Sequence, residues 1–139
     1  MKKTLLMFTI VITLGVNLFG ADLSKEMLKQ NRQIVKMAVK AIGEKLPQKV
    51  DKYTQFTAIS NKDLTLIYTF EINTGAKSDE AVKQEDKGRM KKHIIPGICK
   101  SSKRFLDSNI DISYIYLSAK TKVKLFQFDV TKSDCEELF

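Results

Sequence analysis

The side chains that most often carry out chemistry in proteins are scarce in this chain of 139 residues, which has one histidine and two cysteines. A Ser-His-Asp or Cys-His arrangement would have to use His93, which lies in a cationic stretch and is poorly placed to act as a general base. The sequence also lacks the Gly-x-Ser-x-Gly, His-Glu-x-x-His and glycine-rich phosphate-loop motifs. We therefore predict a non-catalytic protein with no cofactor and no metal site, while hydrolysis by carboxylates alone stays open.

The two cysteines, Cys99 and Cys135, are the other residues that could react. Their even number would fit a disulfide if the chain is exported, because exported proteins meet an oxidising environment. Such a bond would close a loop of about 37 residues and contribute roughly 4 kcal/mol of stability in the chain-entropy estimate. Two buried free thiols are the alternative. A zinc site is disfavoured, because the paired ligand spacings are missing.

The N-terminus has the pattern of a secretory signal peptide. Lys2 and Lys3 precede an apolar run over 5–14, and no charged residue follows until Asp22. We predict cleavage after Gly20, which removes two of the eight net positive charges and leaves one exported domain over 21–139. The uncleaved alternative is a membrane anchor, since residues 4–21 are uncharged and just long enough to span a bilayer. A periplasmic location is expected, with secretion from the cell as the alternative.

The hydrophobic periodicity of the mature part predicts an α+β fold. An amphipathic helix over 24–45, with Ser24 or Asp22 as its cap, precedes strands over 53–60 and 64–72. A second helix, capped by Ser78 and running from 79 to 95, is expected to break at Pro96 and to resume as far as 106. Strands over 110–118 and 122–130 follow. This αββαββ order suits a two-layer domain, with a four-stranded, mainly antiparallel sheet and both helices on one side.

The two predicted hairpins resemble each other when they are aligned without gaps. Residues 59–72 and 117–130 share three identities at an offset of 58, among them Phe70 with Phe128. The alignment predicts that Phe126, Phe128 and Val130 point to the same side of the sheet as their equivalents in the first hairpin. A duplication and the shared patterning of amphipathic strands both explain the match.

The other side of the sheet is predicted to be unusually aliphatic and is our first candidate surface for a partner. The alternatives are that the C-terminal segment or the region near Pro96 covers it, or that two copies associate there as a homodimer. The residues of this candidate surface are Ile59, Ile67, Ile115, Leu117, Val123 and Leu125.

The segment 87–106 concentrates the positive charge and is our second candidate surface. It contains no acidic residue and provides +7, so the charge is local and attracts anions at short range. Phe105 is its one aromatic residue, which argues against nucleic acid as the ligand. An ordinary solvated helix face is the alternative. The basic residues are Lys87, Arg89, Lys91, Lys92, Lys100, Lys103 and Arg104.

Taken together, these patterns predict a small exported, non-catalytic binding or adaptor protein whose partner is another envelope or secreted protein. The alternative is a protein that binds anions or a lipid surface through the segment 87–106. Tandem αββ units also occur in exported inhibitors and adaptors, an analogy of architecture that slightly favours the first prediction.

Overall fold

The computed structural model describes residues 16–138, with side chains described from residue 23. The chain divides into two units after Gln30. In the first unit the described part is the helix over 16–30, in which every side chain from 23 to 30 is exposed. The second unit contains the remaining elements. Residues 1–15 of the predicted signal peptide lie outside the described residues, so its cleavage stays a prediction.

Residues 16–138 form five helices and five strands. In chain order they are α1 (Val16–Gly43), β1 (Gln48–Lys49), β2 (Thr54–Lys62), β3 (Thr65–Ile72), α2 (Asp79–Lys83), α3 (Lys87–Ser101), α4 (Lys103–Asp107), β4 (Asp111–Ser118), β5 (Lys124–Val130) and α5 (Lys132–Glu136). Of these, α2, α4, α5 and β1 have five residues or fewer.

The α+β prediction is confirmed in outline, but the sheet has five strands in the order β1-β2-β3-β4-β5 and is mixed. The sequence pattern does not predict β1, because its two residues are polar and exposed. β3 and β4 are parallel, from Thr65 beside Asp111 to Ile72 beside Ser118. The helical segment between them returns the chain to the starting end of β3, and this is what a parallel neighbour requires.

The first helix differs from the prediction at its start and in its buried side. It begins at Val16, so neither Asp22 nor Ser24 caps it, and it ends at Gly43 as expected. Its core residue is Val35, which is fully buried, whereas Ile34, predicted to be on the buried side, is 42% exposed. Val35, Ala38 and Val39 form the buried stripe, so Ile34 lies at its edge.

The second helical region breaks earlier than Pro96. Ser78 caps α2 as predicted, with its Oγ accepting a hydrogen bond from the N–H of Ala81 at 3.2 Å. The chain then leaves the helix and restarts at α3, where the Asp86 side chain accepts from the N–H of Arg89. Pro96 lies inside α3 without ending it. Buried Ile95 and Ile98 on either side pack this part of the helix onto the sheet, which offsets the missing proline N–H.

All the buried apolar side chains of the sheet point to one side, which we call the helix side, and the opposite side is the open side. The main core cluster joins Val35 of α1, Leu66 of β3 and Ile112 of β4 to Ile95 and Ile98 of α3. A second cluster forms around Val82 of α2 and Phe126 and Phe128 of β5. The predicted orientation of Phe126, Phe128 and Val130 toward the helices is confirmed, while a duplication stays a prediction.

Two irregularities in the strand pairing and one turn correct three of the predicted open-side residues. A bulge between Phe56 and Ala58 turns Ile59 to the helix side, where it packs on the core beside Gly43. A second irregularity, after Tyr116 in β4, turns Leu125 inward, and only 3% of Leu125 is exposed. Val123 lies in the turn before β5 and is not part of the sheet surface. A bulge inserts one unpaired residue and thereby reverses the alternation that follows it.

In residues 16–138 no helix has both the length and the apolarity needed to cross a membrane. The same described residues contain no group of three or more histidine, cysteine, aspartate or glutamate side chains that could hold a metal ion.

Candidate functional site

The open side of the sheet keeps three of the six predicted contact residues, and polar neighbours interrupt them. Ile67, Ile115 and Leu117 are half-buried there. Thr69 pairs with Ile115, and Glu71 pairs with Leu117 and receives the Lys122 ammonium at 2.6 Å. The apolar area is therefore smaller and less continuous than the sequence predicts.

Polar side chains on the same side form a closed hydrogen-bond group. The Ser113 hydroxyl donates to Oδ1 of Asp129 at 2.7 Å, and Nε2 of Gln127 donates to both of these side chains. These hydrogen bonds join β4 to β5 and are typical of ordinary cross-strand stabilisation.

The helix side carries a row of seven aromatic rings that crosses four neighbouring strands. Adjacent ring centroids are 4.7 to 6.4 Å apart, within the range of favourable aromatic contacts. Phe70, Phe126 and Phe128 are buried, but the other four rings are only half-buried. The half-buried rings are Phe56, Tyr68, Tyr114 and Tyr116.

One wall of this exposed area is the flank of α1 that carries Ile34 and Met37. The opposite flank faces β2, since Arg32 bonds Asp63 in the β2–β3 turn and a Cβ on Gly43 would lie 3.7 Å from Ile59. At 3.6 residues per turn, Ile34 lies about 100° from the buried Val35, on the flank of α1 opposite Arg32, whereas Met37 lies about 160° from Val35 and points largely away from the sheet. Ile34 and Met37 are 42% and 69% exposed.

The other wall is α3. Met90 and Ile94 pack beside Tyr116 and Phe126, whereas the α5 contacts of α3, Lys91 with Asp134 and Cys99 with Cys135, lie on its other flank. We call the space between α1 and α3 the aromatic groove. Its floor is Phe56, Tyr68, Phe70, Tyr114 and Tyr116, and its walls are Ile34, Met90 and Ile94, with Met37 at the outer, solvent-facing edge of the α1 wall.

A cavity of about 370 Å³ adjoins the aromatic groove, because Met90 lines both and Phe126 of the cavity packs beside Tyr116, with ring centroids 4.7 Å apart. Its remaining lining includes Tyr53, Ile72 and Lys77. Tyr53 is 58% exposed at the rim.

Burial changes the acid–base behaviour of the tyrosines on the floor of the aromatic groove. It raises the pKa of Tyr68 and of Tyr116 to about 12, with a smaller contribution from the neighbouring Tyr114. Burial also raises the pKa of Tyr114. The three phenols are therefore neutral hydrogen-bonding groups at physiological pH and offer no anionic base.

The sequence analysis missed this groove because it assigned Tyr68, Phe70, Phe126 and Phe128 to a covered core. The signal was available in part: Tyr114 and Tyr116 alternate in β4, and aromatic residues alternate in the neighbouring strands as well. What the alternation does not contain is how far the helices cover the row, in which four of the seven rings are only half-buried.

The seven basic residues of 87–106 separate into two groups. Lys91 lies 3.8 Å from Asp134, and Lys103 bonds Asp107 at 2.8 Å. The other five are exposed and take part in no ion pair within residues 16–138. His93 is exposed in the same stretch. The unpaired five are Lys87, Arg89, Lys92, Lys100 and Arg104.

Cys99 and Cys135 form the predicted disulfide, which joins α3 to α5 with their Cα atoms 5.6 Å apart. Cys99 is buried in the main core cluster, and Cys135 packs against it from outside. The bond holds the short C-terminal helix in place, and Thr131 and Asp134 cap that helix reciprocally.

The perturbed carboxylates of the chain are explained by local structure. A backbone hydrogen bond from Thr131 lowers the pKa of Asp134, and a hydrogen bond from Thr121 lowers that of Asp79. Burial, together with the nearby Asp134, raises the pKa of Asp111. None of these three groups is among the residues of the aromatic groove.

Three solved structures share this fold with TM-scores of 0.63 to 0.67. The first is a candidate secreted protein of Pseudomonas aeruginosa, with 11% identity over 78% of this chain and 96% of its own, and a TM-score of 0.67. The second is EpsS, a pilotin from the Vibrio vulnificus type 2 secretion system, with 13% identity over 80% and 96% and a TM-score of 0.65. At such low identities the likeness establishes the fold alone.

The third is AspS, a type II secretion system pilotin from Vibrio cholerae, with 15% identity over 81% of this chain and 98% of its own, and a TM-score of 0.63. No curated protein matches this sequence. One family model does match, over residues 29–126, a range that includes most of the second unit and both walls of the groove. The chain belongs to the family described as "Domain of unknown function (DUF8479)".

Proposed function

We propose that this protein is a small exported adaptor that binds a segment of another envelope protein in the aromatic groove and carries out no catalysis. The observation that carries the proposal is the uncovered part of the aromatic row between α1 and α3. Tyr68, Tyr114 and Tyr116 are half-buried there, although the helices beside them provide apolar walls.

The composition of the groove favours a protein segment as its occupant. Tyrosine side chains give large contact areas with few rotatable bonds, and aromatic residues are enriched at the centres of protein interfaces. The exposed apolar side chains of Ile34 and Met37 extend this area along α1. The open side, by contrast, mixes Ile67 and Ile115 with polar neighbours.

Three observations support an envelope location. The N-terminal sequence has the basic start and apolar centre of a signal peptide. Cys99 and Cys135 are paired, as exported proteins allow. Two of the similar structures are pilotins of type 2 secretion systems, and the third is a candidate secreted protein. A component of a secretion system is therefore the first class of partner to test.

Site-specific photo-crosslinking in the living cell tests the proposal. A photoreactive residue replaces Met37 at the groove wall, and in a second strain it replaces Ser60, which is exposed on the other side of the sheet beside Ile67. We expect the Met37 position to give one defined adduct with an envelope protein and the Ser60 position to give none. An adduct from Ser60 alone would contradict the groove and favour the open side.

A further inference from the structure

A second surface of the second unit carries charge that the aromatic groove does not use. Arg89, Lys92 and Lys100 are spaced three and eight residues apart in α3, which places them within about 80° on its solvent side. All three are exposed and have no ion-pair partner in the part of the chain that the structure describes. We call these three residues the basic row.

The basic row is flanked by charge of the same sign and is not neutralised by its own helix. Lys87 and Arg104 are exposed just before and just after it. No aspartate or glutamate occurs anywhere in 87–106, and this segment provides +7 of the net +8 of the chain. Local positive charge of this kind attracts anions within roughly 8 Å at physiological salt.

The shape and composition of the basic row favour a flat ligand. Its three residues extend over about 16 Å of helix, and the residues exposed between them are His93, Pro96 and Gly97. A protein partner needs a buried apolar or aromatic anchor at the centre of its contact, which this row lacks. A single-stranded nucleic acid needs stacking rings, which are also missing.

We propose that the basic row docks the protein on the anionic phospholipid headgroups of the cell envelope. Each well-placed lysine or arginine contributes to binding at such a surface without any insertion into the bilayer. Because the groove wall formed by Met90 and Ile94 belongs to the same helix, a segment bound in the groove would be held beside the membrane. This inference does not depend on the groove having the function proposed above.

Vesicle co-sedimentation tests the proposal with protein purified from the cell envelope in its natural, disulfide-bonded form. The vesicles contain phosphatidylcholine alone or phosphatidylcholine with phosphatidylglycerol. We expect sedimentation with the anionic vesicles only, and its loss at about 0.5 M salt, where exposed charge contacts are strongly screened. Equal sedimentation with both vesicles, or binding that persists at high salt, would overturn the proposal.

A matched pair of variants separates the basic row from net charge. The triple variant R89Q/K92Q/K100Q and the control K36Q/K40Q/K45Q each remove three positive charges from exposed side chains that form no ion pair in the described part of the chain. We expect the row variant to lose at least about tenfold in binding to anionic vesicles and the control less than about twofold. Equal losses of binding in the two variants would show that net charge alone determines vesicle binding and would refute a specific role of the basic row.

Discussion

Nε of Arg32 donates to Oδ1 of Asp63 at 2.8 Å and so joins α1 to the turn between β2 and β3. Both side chains are more than half exposed, so the pair adds little to the free energy of folding. Its importance is geometric. Together with Val35 in the core it marks which flank of α1 faces β2, and the opposite flank therefore turns Ile34 toward the aromatic groove, with Met37 at its solvent-facing edge.

The substitution Met37→Asp should weaken partner binding without unfolding the protein. Met37 is 69% exposed, so the change should alter the free energy of unfolding by less than about 0.5 kcal/mol. A carboxylate on an apolar groove wall should nevertheless cost at least about tenfold in affinity, because binding would desolvate an unpaired charge. Titration against the crosslinked partner measures this.

The matched control for that experiment is Ile67→Asp on the open side of the sheet. We expect this variant to keep its affinity, since Ile67 does not contribute to the groove. Loss of binding in Ile67→Asp with full binding in Met37→Asp would instead assign the partner to the open side.

The bulge that turns Leu125 inward predicts a large difference between two neighbouring residues. Leu125→Ala should lower the free energy of unfolding by about 2 to 5 kcal/mol, because Leu125 is 3% exposed and packs beside Val82 and Phe126. Val123→Ala, at a residue that is 44% exposed, should change it by less than about 0.5 kcal/mol. Urea unfolding of both variants decides, and equal losses would contradict the inward orientation.

Removal of the disulfide should destabilise the protein strongly. The double variant C99S/C135S opens a loop closed over a separation of 36 residues, and we expect a loss of roughly 4 kcal/mol. Guanidinium unfolding without reductant measures the loss. The unmodified protein in excess reductant is the control and should unfold at a similarly low midpoint. If both samples unfolded at the same guanidinium concentration as the oxidised, unmodified protein, the disulfide would not provide this stability.

The buried tyrosines predict a loss of stability at high pH. Burial raises the folded-state pKa of Tyr68 and Tyr116 from 10.0 to about 12, so the folded state favours the neutral phenols. Their contribution is complete below pH 10 and is lost as the pH rises toward 12. The midpoint of thermal unfolding should therefore fall across this range.

The control for the pH experiment is the double variant Y68F/Y116F. It keeps the rings but removes both ionisable groups, so its midpoint should fall less over the same range of pH. An identical fall in both proteins would show that other groups cause the alkaline unfolding.

Several features of the protein follow from short-range patterns and could be predicted. The period of two in 64–72 indicates β3, and the turn residues after it end that strand. Ser78 was identified as a helix cap, because such a cap needs only its own neighbouring N–H groups. The disulfide was also predictable, since the chain has two cysteines and therefore one possible pairing.

The sequence by itself thus determined the long helices and four of the five strands in outline, the cysteine pair and the local concentration of positive charge in 87–106. Only the tertiary structure decided the orientations of Ile59 and Leu125, because a bulge arises from the hydrogen bonds of a strand with its neighbour. It also decided that α3 continues through Pro96, whose neighbours pack on the core. The aromatic groove depends on the gap between α1 and α3, and this gap is set by packing between residues far apart in the chain, which no local period records.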